Sequence, residues 1–222
     1  MTWIKICGTT TLEDARLAAD AGADALGFIF APSARRITAS QASVIIRDLH
    51  GDVAKVGIFA NGIAKDVAAV ASEVGLTFVQ LYGNQGTASL KEMEEALGPK
   101  MGIIRAIPGE RMADEFLLSA AFALPNRAVL LDNTGPDGMG GTGTRFEWSK
   151  IALRVRAAIE HFKLNFIIAG GLTPENVGEA IRLFHPWGVD VVSGVEAAPG
   201  KKDPARLRAF IRAVREADKS AL

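Results

Sequence analysis

The residues best suited to proton transfer are one thiol and one carboxylate, each at the end of a short apolar segment. Cys7 is the only cysteine and closes Trp3–Cys7, and Asp132 closes Ala128–Asp132. If the two groups face each other, one can remove a proton from carbon while the other donates one to oxygen, an isomerisation that needs no cofactor. An isolated aspartate is more often a helix cap or loop anchor, but the long glycine-rich segment that follows, 133–144, favours a functional interpretation.

Three glycine-containing segments could bring backbone amides close to an anion. Gly140-Gly141-Thr142-Gly143 resembles a phosphate-binding loop but lacks the Gly-Lys-Ser/Thr of a Walker motif. Gly170-Gly171 and Ser193-Gly194 follow the last two apolar segments. Two loops of this kind together indicate a phosphate site more strongly than either alone, although each is also compatible with a tight turn.

Further polar residues lie in or shortly after other apolar segments. Arg35 and Arg36 are either a solvated surface pair or, if they reach the site, a partner for a carboxylate, which guanidinium binds in a bidentate manner. The candidates for the walls of a substrate pocket are Lys5, Gln80, Tyr82, Arg105 and Gly141.

The three histidines stand in or near predicted helix ends, at His50, His161 and His185. This placement argues against a Ser-His-Asp arrangement at the ends of the apolar segments. The chain also lacks the spacings typical of metal ligands. We therefore expect neither a metal ion nor a cofactor.

Eight short apolar segments alternate with amphipathic ones along the whole chain. The predicted strands are Trp3–Cys7, Ala25–Phe30, Ala54–Phe59, Phe78–Tyr82, Gly102–Ile107, Ala128–Asp132, Asn165–Ala169 and Val189–Ser193. The predicted helices are Leu12–Ala21, Ser40–Leu49, Ile63–Val74, Ser89–Leu97, Met112–Ala120, Trp148–His161, Pro174–Phe184 and Pro204–Ala217. Their caps are predicted at Thr11, Thr173 and Asp203, with glycines after helix ends at Gly22, Gly75 and Gly98.

This alternation predicts an α/β fold, a single (β/α)8 TIM barrel over residues 1–222. Continuous apolar strands are typical of parallel sheets covered on both faces. The alternative is a doubly wound open sheet, which we consider weaker because no strand precedes a dinucleotide-binding fingerprint. In a barrel, the strand ends that carry Cys7 and Asp132 meet at the end where active sites lie.

The overall composition excludes several classes of partner. Lys and Arg total 25, as do Asp and Glu, so the formal net charge is zero, which argues against nucleic acid or an anionic membrane as a partner. One cysteine allows no internal disulfide, and neither a signal-peptide pattern nor a membrane-spanning apolar run is present. We expect a soluble cytoplasmic protein.

The motifs, taken together and in order, resemble those of the phosphoribosylanthranilate isomerase family over nearly the whole chain. They are Lys5-Ile6-Cys7-Gly8, Gly27-Phe28-Ile29-Phe30 with Arg35-Arg36, Val79-Gln80-Leu81-Tyr82-Gly83, Leu131-Asp132, Gly140-Gly141-Thr142-Gly143 with Phe146-Glu147-Trp148, Ala169-Gly170-Gly171-Leu172, and Val189-Asp190-Val191-Val192-Ser193-Gly194-Val195-Glu196 with Pro199-Gly200-Lys201-Lys202-Asp203. Each motif alone is unspecific, whereas the combination is highly specific.

The resemblance implies an Amadori rearrangement of N-(5-phosphoribosyl)anthranilate in tryptophan biosynthesis, without a cofactor. It implies that Asp132 is the general acid, Cys7 the general base and Arg36 the partner of the anthranilate carboxylate. The implied phosphate site consists of Gly170, Gly171, Ser193 and Gly194. The partner is a small phosphorylated aminosugar, and the assembly is expected to be a monomer or a homodimer.

These roles carry expectations about protonation. A thiol with an ordinary pKa of about 8.5 is mostly protonated at neutral pH, so we expect surroundings that favour the Cys7 thiolate, with Lys5 and a helix N-terminus as contributors. A general acid must hold its proton, so burial or a nearby anion is expected to raise the pKa of Asp132.

The chain departs from the family pattern at Tyr82, where the family often has histidine. Two alternatives remain, and Tyr82 favours only the second of them. One is another phosphosugar barrel enzyme, such as an indole-glycerol-phosphate synthase or the histidine-pathway isomerase, whose usual catalytic residues are not matched. The other is a barrel that binds a phosphorylated ligand and has lost catalysis, against which the presence of both Cys7 and Asp132 argues.

Overall fold

Eight parallel strands close into a barrel in which each strand pairs with the next and the eighth pairs with the first. The computed structural model describes residues 1–83, 87–108, 127–132, 148–163 and 165–220. The strands are β1 (Trp3–Cys7), β2 (Ala25–Ile29), β3 (Ala54–Ala60), β4 (Phe78–Tyr82), β5 (Gly102–Pro108), β6 (Arg127–Asp132), β7 (Asn165–Ile168) and β8 (Gly188–Val191). The predicted barrel is confirmed, and the pairing of β1 with both β2 and β8 excludes the open sheet.

Helices cover the outside of the barrel. Those within the described ranges are α1 (Leu12–Ala21), α2 (Ala39–Arg47), α3 (Ala64–Val74), α4 (Thr87–Leu97), α5 (Trp148–Phe162), α6 (Val177–Phe184) and α7 (Pro204–Ser220). The predicted helix Met112–Ala120 lies outside the described residues. Among the helices that are described, none combines the length and the apolar character needed to cross a membrane.

Side chains alternate along each strand between the barrel interior and the helices, because successive residues of a strand point to opposite faces. In β1, Ile4 and Ile6 pack in the cluster shared with the helices. Cys7 belongs to the interior cluster, together with Val56, Leu130 and other small or branched side chains. The parity of a residue within its strand therefore decides whether it can reach the site.

Element boundaries agree with the sequence predictions to within three residues. Thr11 caps α1 by accepting a hydrogen bond from the Asp14 backbone N–H, and Gly22 follows at a φ of 100°. The prediction that α6 begins at Pro174 is wrong. Asn176 accepts from the Thr173 N–H and donates to the Gly171 carbonyl, which stabilises a separate turn, so the helix begins only at Val177.

The segment after β8 differs from the predicted strand Val189–Ser193. The strand ends at Val191, and Ser193–Val195 forms a short 3-10 turn. A two-stranded antiparallel hairpin follows, formed by β9 (Glu196–Ala198) and β10 (Lys201–Lys202). This hairpin brings two buried charged side chains next to the end of β1.

Candidate active site

One cavity occupies the end of the barrel at which the strands finish. Its lining includes Cys7 from β1, Tyr82 from β4 and Asp132 from β6. All three residues have the parity that points into the barrel, and the Cys7 and Asp132 side chains are 3% and 5% exposed. The structure thus brings the thiol and the carboxylate predicted from sequence to the same cavity.

A chain of hydrogen bonds leads to the Asp132 carboxylate. Gln80 Nε2 donates to the Tyr82 hydroxyl over 3.2 Å, and that hydroxyl donates to Asp132 Oδ2 over 2.8 Å. Burial, followed by the nearby Asp132 charge, raises the pKa of Tyr82 well above its ordinary value, so the phenol keeps its proton and acts as the donor. The departure from the family pattern at Tyr82 therefore lies in direct contact with the predicted general acid.

The Cys7 thiol occupies space left by a glycine on the neighbouring strand. Gly27 pairs with Cys7 in register, and a Cβ at position 27 would lie only 2.6 Å from the sulfur. Beneath the thiol, the fully buried Lys5 donates to Asp190 Oδ1 over 2.8 Å. These two residues are in register on the paired strands β1 and β8.

The expectation that the surroundings favour the Cys7 thiolate is wrong in its net direction. Burial raises the pKa of the Cys7 thiol above its ordinary value, because a low-dielectric environment disfavours the charged form. Lys5 and Lys202 act in the opposite sense, while Asp190 adds to the effect of burial. Lys5 contributes as expected, but it does not outweigh the desolvation of the sulfur.

The two adjacent arginines have different positions. Arg35 lines the cavity and makes a bidentate ion pair with Glu196, at 2.9 Å from Nε to Oε1 and 2.7 Å from Nη2 to Oε2. The Arg36 side chain is exposed on the loop after β2, and no described residue forms an ion pair with it. Arg36 does not belong to the lining of the cavity, whereas its backbone is held by a bridge to Ile29.

The glycine loops after β7 and β8 meet at the edge of the cavity. Gly170 and Gly171 have φ values of 84° and 68°, a conformation that favours glycine. Gly171, Ser193 and Gly194 also line a second, adjoining cavity. Within the described part of the chain, the backbone N–H groups of these three residues have no hydrogen-bond acceptor, so they are available to an anion.

The predicted pocket residue Arg105 faces away from the cavity. Arg105 lies on the helix-facing side of β5, since its neighbours Ile104 and Ala106 belong to the interior cluster. It is buried but does not line the cavity. The prediction that Arg105 lies in the pocket wall is wrong, because it did not take into account that side chains alternate along a strand. Gly141 lies outside the described residues.

Sequence reasoning missed three charged residues around Cys7, namely Asp190, Glu196 and Lys202. Asp190 could have been found, because a lone carboxylate in an otherwise apolar strand needs a buried partner and Lys5 is the matching cation in the first strand. Glu196 and Lys202 become neighbours only through the hairpin, and the turn signal for it was the dipeptide Pro199-Gly200 between its two strands.

The closed barrel, with a thiol, a carboxylate and two glycine loops at one mouth, has the architecture of a (β/α)8-barrel enzyme. A sequence model of the family described as N-(5'phosphoribosyl)anthranilate (PRA) isomerase matches residues 4–213. The N-(5'-phosphoribosyl)anthranilate isomerase of Pelobacter propionicus is 44% identical over 217 residues, which cover 97% of each chain. The chain belongs to this family and is an isomerase.

Solved structures agree with this assignment. The crystal structure of phosphoribosyl anthranilate isomerase from Thermotoga maritima superimposes with a TM-score of 0.83 at 38% identity, covering 97% of this chain and all of the other. A second crystal structure, of such an enzyme in complex with reduced 1-(o-carboxyphenylamino)-1-deoxyribulose 5-phosphate, has a TM-score of 0.80 at 36% identity and covers 97% and 100%.

Proposed function

We propose that this chain converts N-(5-phosphoribosyl)anthranilate to 1-(2-carboxyphenylamino)-1-deoxyribulose 5-phosphate in tryptophan biosynthesis. The observation that carries the proposal is that Cys7 and Asp132, on strands β1 and β6, line one cavity together with glycine loops suited to a phosphate. Family membership supports the reaction class, and the compound bound to one relative has a carboxylate on one side and a phosphate on the other.

Asp132 is the general acid of the first step. It donates a proton to the furanose ring oxygen, the bond between that oxygen and C1 breaks, and the nitrogen lone pair forms the C1=N bond of a Schiff base. The hydrogen bond from Tyr82 fixes the carboxyl group at the cavity wall. The same donor stabilises the negative charge that is left on Asp132 once the proton has moved to the ring oxygen.

Cys7 is the general base of the second step. Its thiolate removes the proton from C2 of the Schiff base, which gives an enolamine. Loss of the O2 proton and addition of a proton at C1 then produce the amino ketone. Since burial raises the pKa of the thiol, the small thiolate fraction is strongly basic, and the nearby ammonium groups of Lys5 and Lys202 limit the cost of the negative charge.

The two ends of the substrate are held by separate groups. The phosphate is bound by the backbone N–H groups of Gly171, Ser193 and Gly194, at the start of the 3-10 turn after β8. Arg36 binds the anthranilate carboxylate once its exposed side chain, which lies outside the cavity lining, turns toward the cavity. It is suited to this role because its neighbour Arg35 is already paired with Glu196, whereas the exposed Arg36 has no such partner among the described residues.

The test is turnover of freshly prepared substrate, followed by the loss of its anthranilate-type fluorescence, for the wild type, Cys7→Ser and Asp132→Asn. We expect robust turnover by the wild type and a loss of at least about a hundredfold in each variant, the usual contribution of a positioned acid or base. Near-normal turnover by either variant would remove that residue from its role. A wild type that binds a substrate analogue without turnover would favour the ligand-binding alternative.

A further inference from the structure

Lys202 is a buried lysine at the end of β1 that the proposed reaction does not use. Its side chain is 0% exposed, and its Nζ donates to the Cys7 carbonyl oxygen over 2.6 Å. Its backbone N–H donates to Asp14 Oδ2 in α1. The hairpin therefore fixes this ammonium against the residue proposed as the general base.

The charge of Lys202 is only partly balanced by its partner. Glu196 accepts from Lys202 Nζ over 3.2 Å, but the same carboxylate also makes the bidentate pair with Arg35. One buried carboxylate thus serves two cations. Burial lowers the pKa of Lys202, while the charges of Glu196 and Cys7 act in the opposite sense. In its protonated form, with a shared counterion, the lysine places a positive charge in a low-dielectric region, where charges interact more strongly than in water.

Several charged or titratable groups act on the Cys7 sulfur from the elements around it. They are Lys5 on β1, Asp190 on β8, Arg35 on the loop after β2, Tyr82 on β4 and Lys202 on β10. Lys5 is paired within 2.8 Å with Asp190, whose charge opposes that of Lys5 at the sulfur. Lys202 contacts the Cys7 backbone directly and lowers the pKa of its thiol.

We propose that Lys202 is a positioning residue for the isomerisation, whose buried ammonium holds the end of β1 and stabilises negative charge on the Cys7 sulfur. The proposal rests on the proposed function only in the use of Cys7 as the base. The electrostatic effect on the thiol is a property of the enzyme without substrate, and it can be measured there.

The single cysteine makes the measurement direct, because every alkylation event reports on Cys7. The rate of alkylation by iodoacetamide is measured against pH for the wild type, Lys202→Met and Lys202→Gln. Lys202→Gln keeps an N–H donor for the Cys7 carbonyl and so preserves the contact that holds β1. The matched control is Lys201→Met, which removes a neighbouring, exposed lysine of the same hairpin.

In both Lys202 variants we expect the midpoint of the alkylation profile to move up by about one pH unit, with a rate about tenfold lower below the midpoint. Lys201→Met should match the wild type. We also expect the Lys202 variants to lose kcat with little change in KM, because fewer of the bound complexes then carry the reactive thiolate, whereas Lys202 itself does not line the cavity.

An unshifted midpoint in a folded Lys202→Gln protein would overturn the proposal. So would faster alkylation at every pH with an unchanged midpoint, since that result means that the lysine only keeps the thiol covered. If the wild type shows no isomerase activity but the midpoint still shifts, the proposed function fails while the effect of Lys202 on Cys7 stands.

Discussion

At the scale of single residues, the contact between Tyr82 and Asp132 matters most for the proposed acid. The phenol donates over 2.8 Å to a carboxylate that is 5% exposed, and a hydrogen bond to a charged group contributes about 1.5–3 kcal/mol. The same bond that orients Asp132 also stabilises its ionised form.

Tyr82→Phe is expected to change the pH profile of kcat/KM rather than only its height. An acid and a base give the profile two midpoints, one for each group. Removal of the donor favours protonated Asp132, so the midpoint that belongs to Asp132 moves up by about one to two pH units. The midpoint that belongs to Cys7 should not move. The midpoint of the iodoacetamide alkylation profile identifies which of the two midpoints belongs to the Cys7 thiol. A profile that keeps its shape would show that Tyr82 does not influence the protonation of Asp132.

At the scale of elements, the phosphate site depends on two loops that touch backbone to backbone. A Cβ on Gly194 would collide with the Leu172 carbonyl oxygen, so the 3-10 turn after β8 can approach the loop after β7 only with glycine at this position. The close approach brings the N–H groups of both loops together, as the proposed phosphate site requires. At Gly194 glycine is required by lack of space, whereas at Gly170 and Gly171 it is favoured by a positive φ.

Gly194→Ala is expected to raise KM for the substrate by about tenfold or more, with a smaller effect on kcat. The added methyl group separates the loops, and the loss of one hydrogen bond to a charged group weakens binding by about that factor. The control is Gly178→Ala in α6, where the nearest atom to the new Cβ lies at 3.4 Å and binding should not change. An unaltered KM in Gly194→Ala would contradict the phosphate site.

At the scale of the whole molecule, the barrel is closed by contacts between its first and last elements. Lys5 on β1 pairs with Asp190 on β8 inside the barrel, with side-chain exposures of 0% and 4%. Outside, the Thr2 N–H and hydroxyl donate to Asp218 of α7, and Arg215 donates to the Thr2 carbonyl over 2.6 Å. The two chain ends are thus joined by polar contacts on both sides of the strand pair.

Lys5→Met should lower the free energy of unfolding by about 3–5 kcal/mol, because it leaves Asp190 buried without its cation. The measurement is denaturant unfolding followed by circular dichroism. The control is Arg47→Ala, which removes an ion pair with Asp48 whose side chains are 71% and 42% exposed, and it should cost less than about 1 kcal/mol. Equal losses in the two variants would mean that the buried pair does not stabilise barrel closure.

The sequence by itself determined the number and order of the strands, most helix ends and the proposed acid–base pair. The reason is local: apolar runs specify buried parallel strands, caps such as Thr11 and Gly22 terminate helices, and a residue at a strand end must lie at the mouth of a barrel. Strand parity was also encoded, and its neglect explains the misplacement of Arg105.

Only the tertiary structure decided the electrostatics around those residues. Burial raises the pKa of Cys7, and burial exists only in the folded barrel. The contacts of Tyr82 with Asp132 and of Arg35 with Glu196 join residues that are far apart in the sequence. The same Glu196 also accepts from Lys202. Interaction energies between charges depend on separation and on exclusion of water, and both quantities exist only once the barrel and its hairpin have formed.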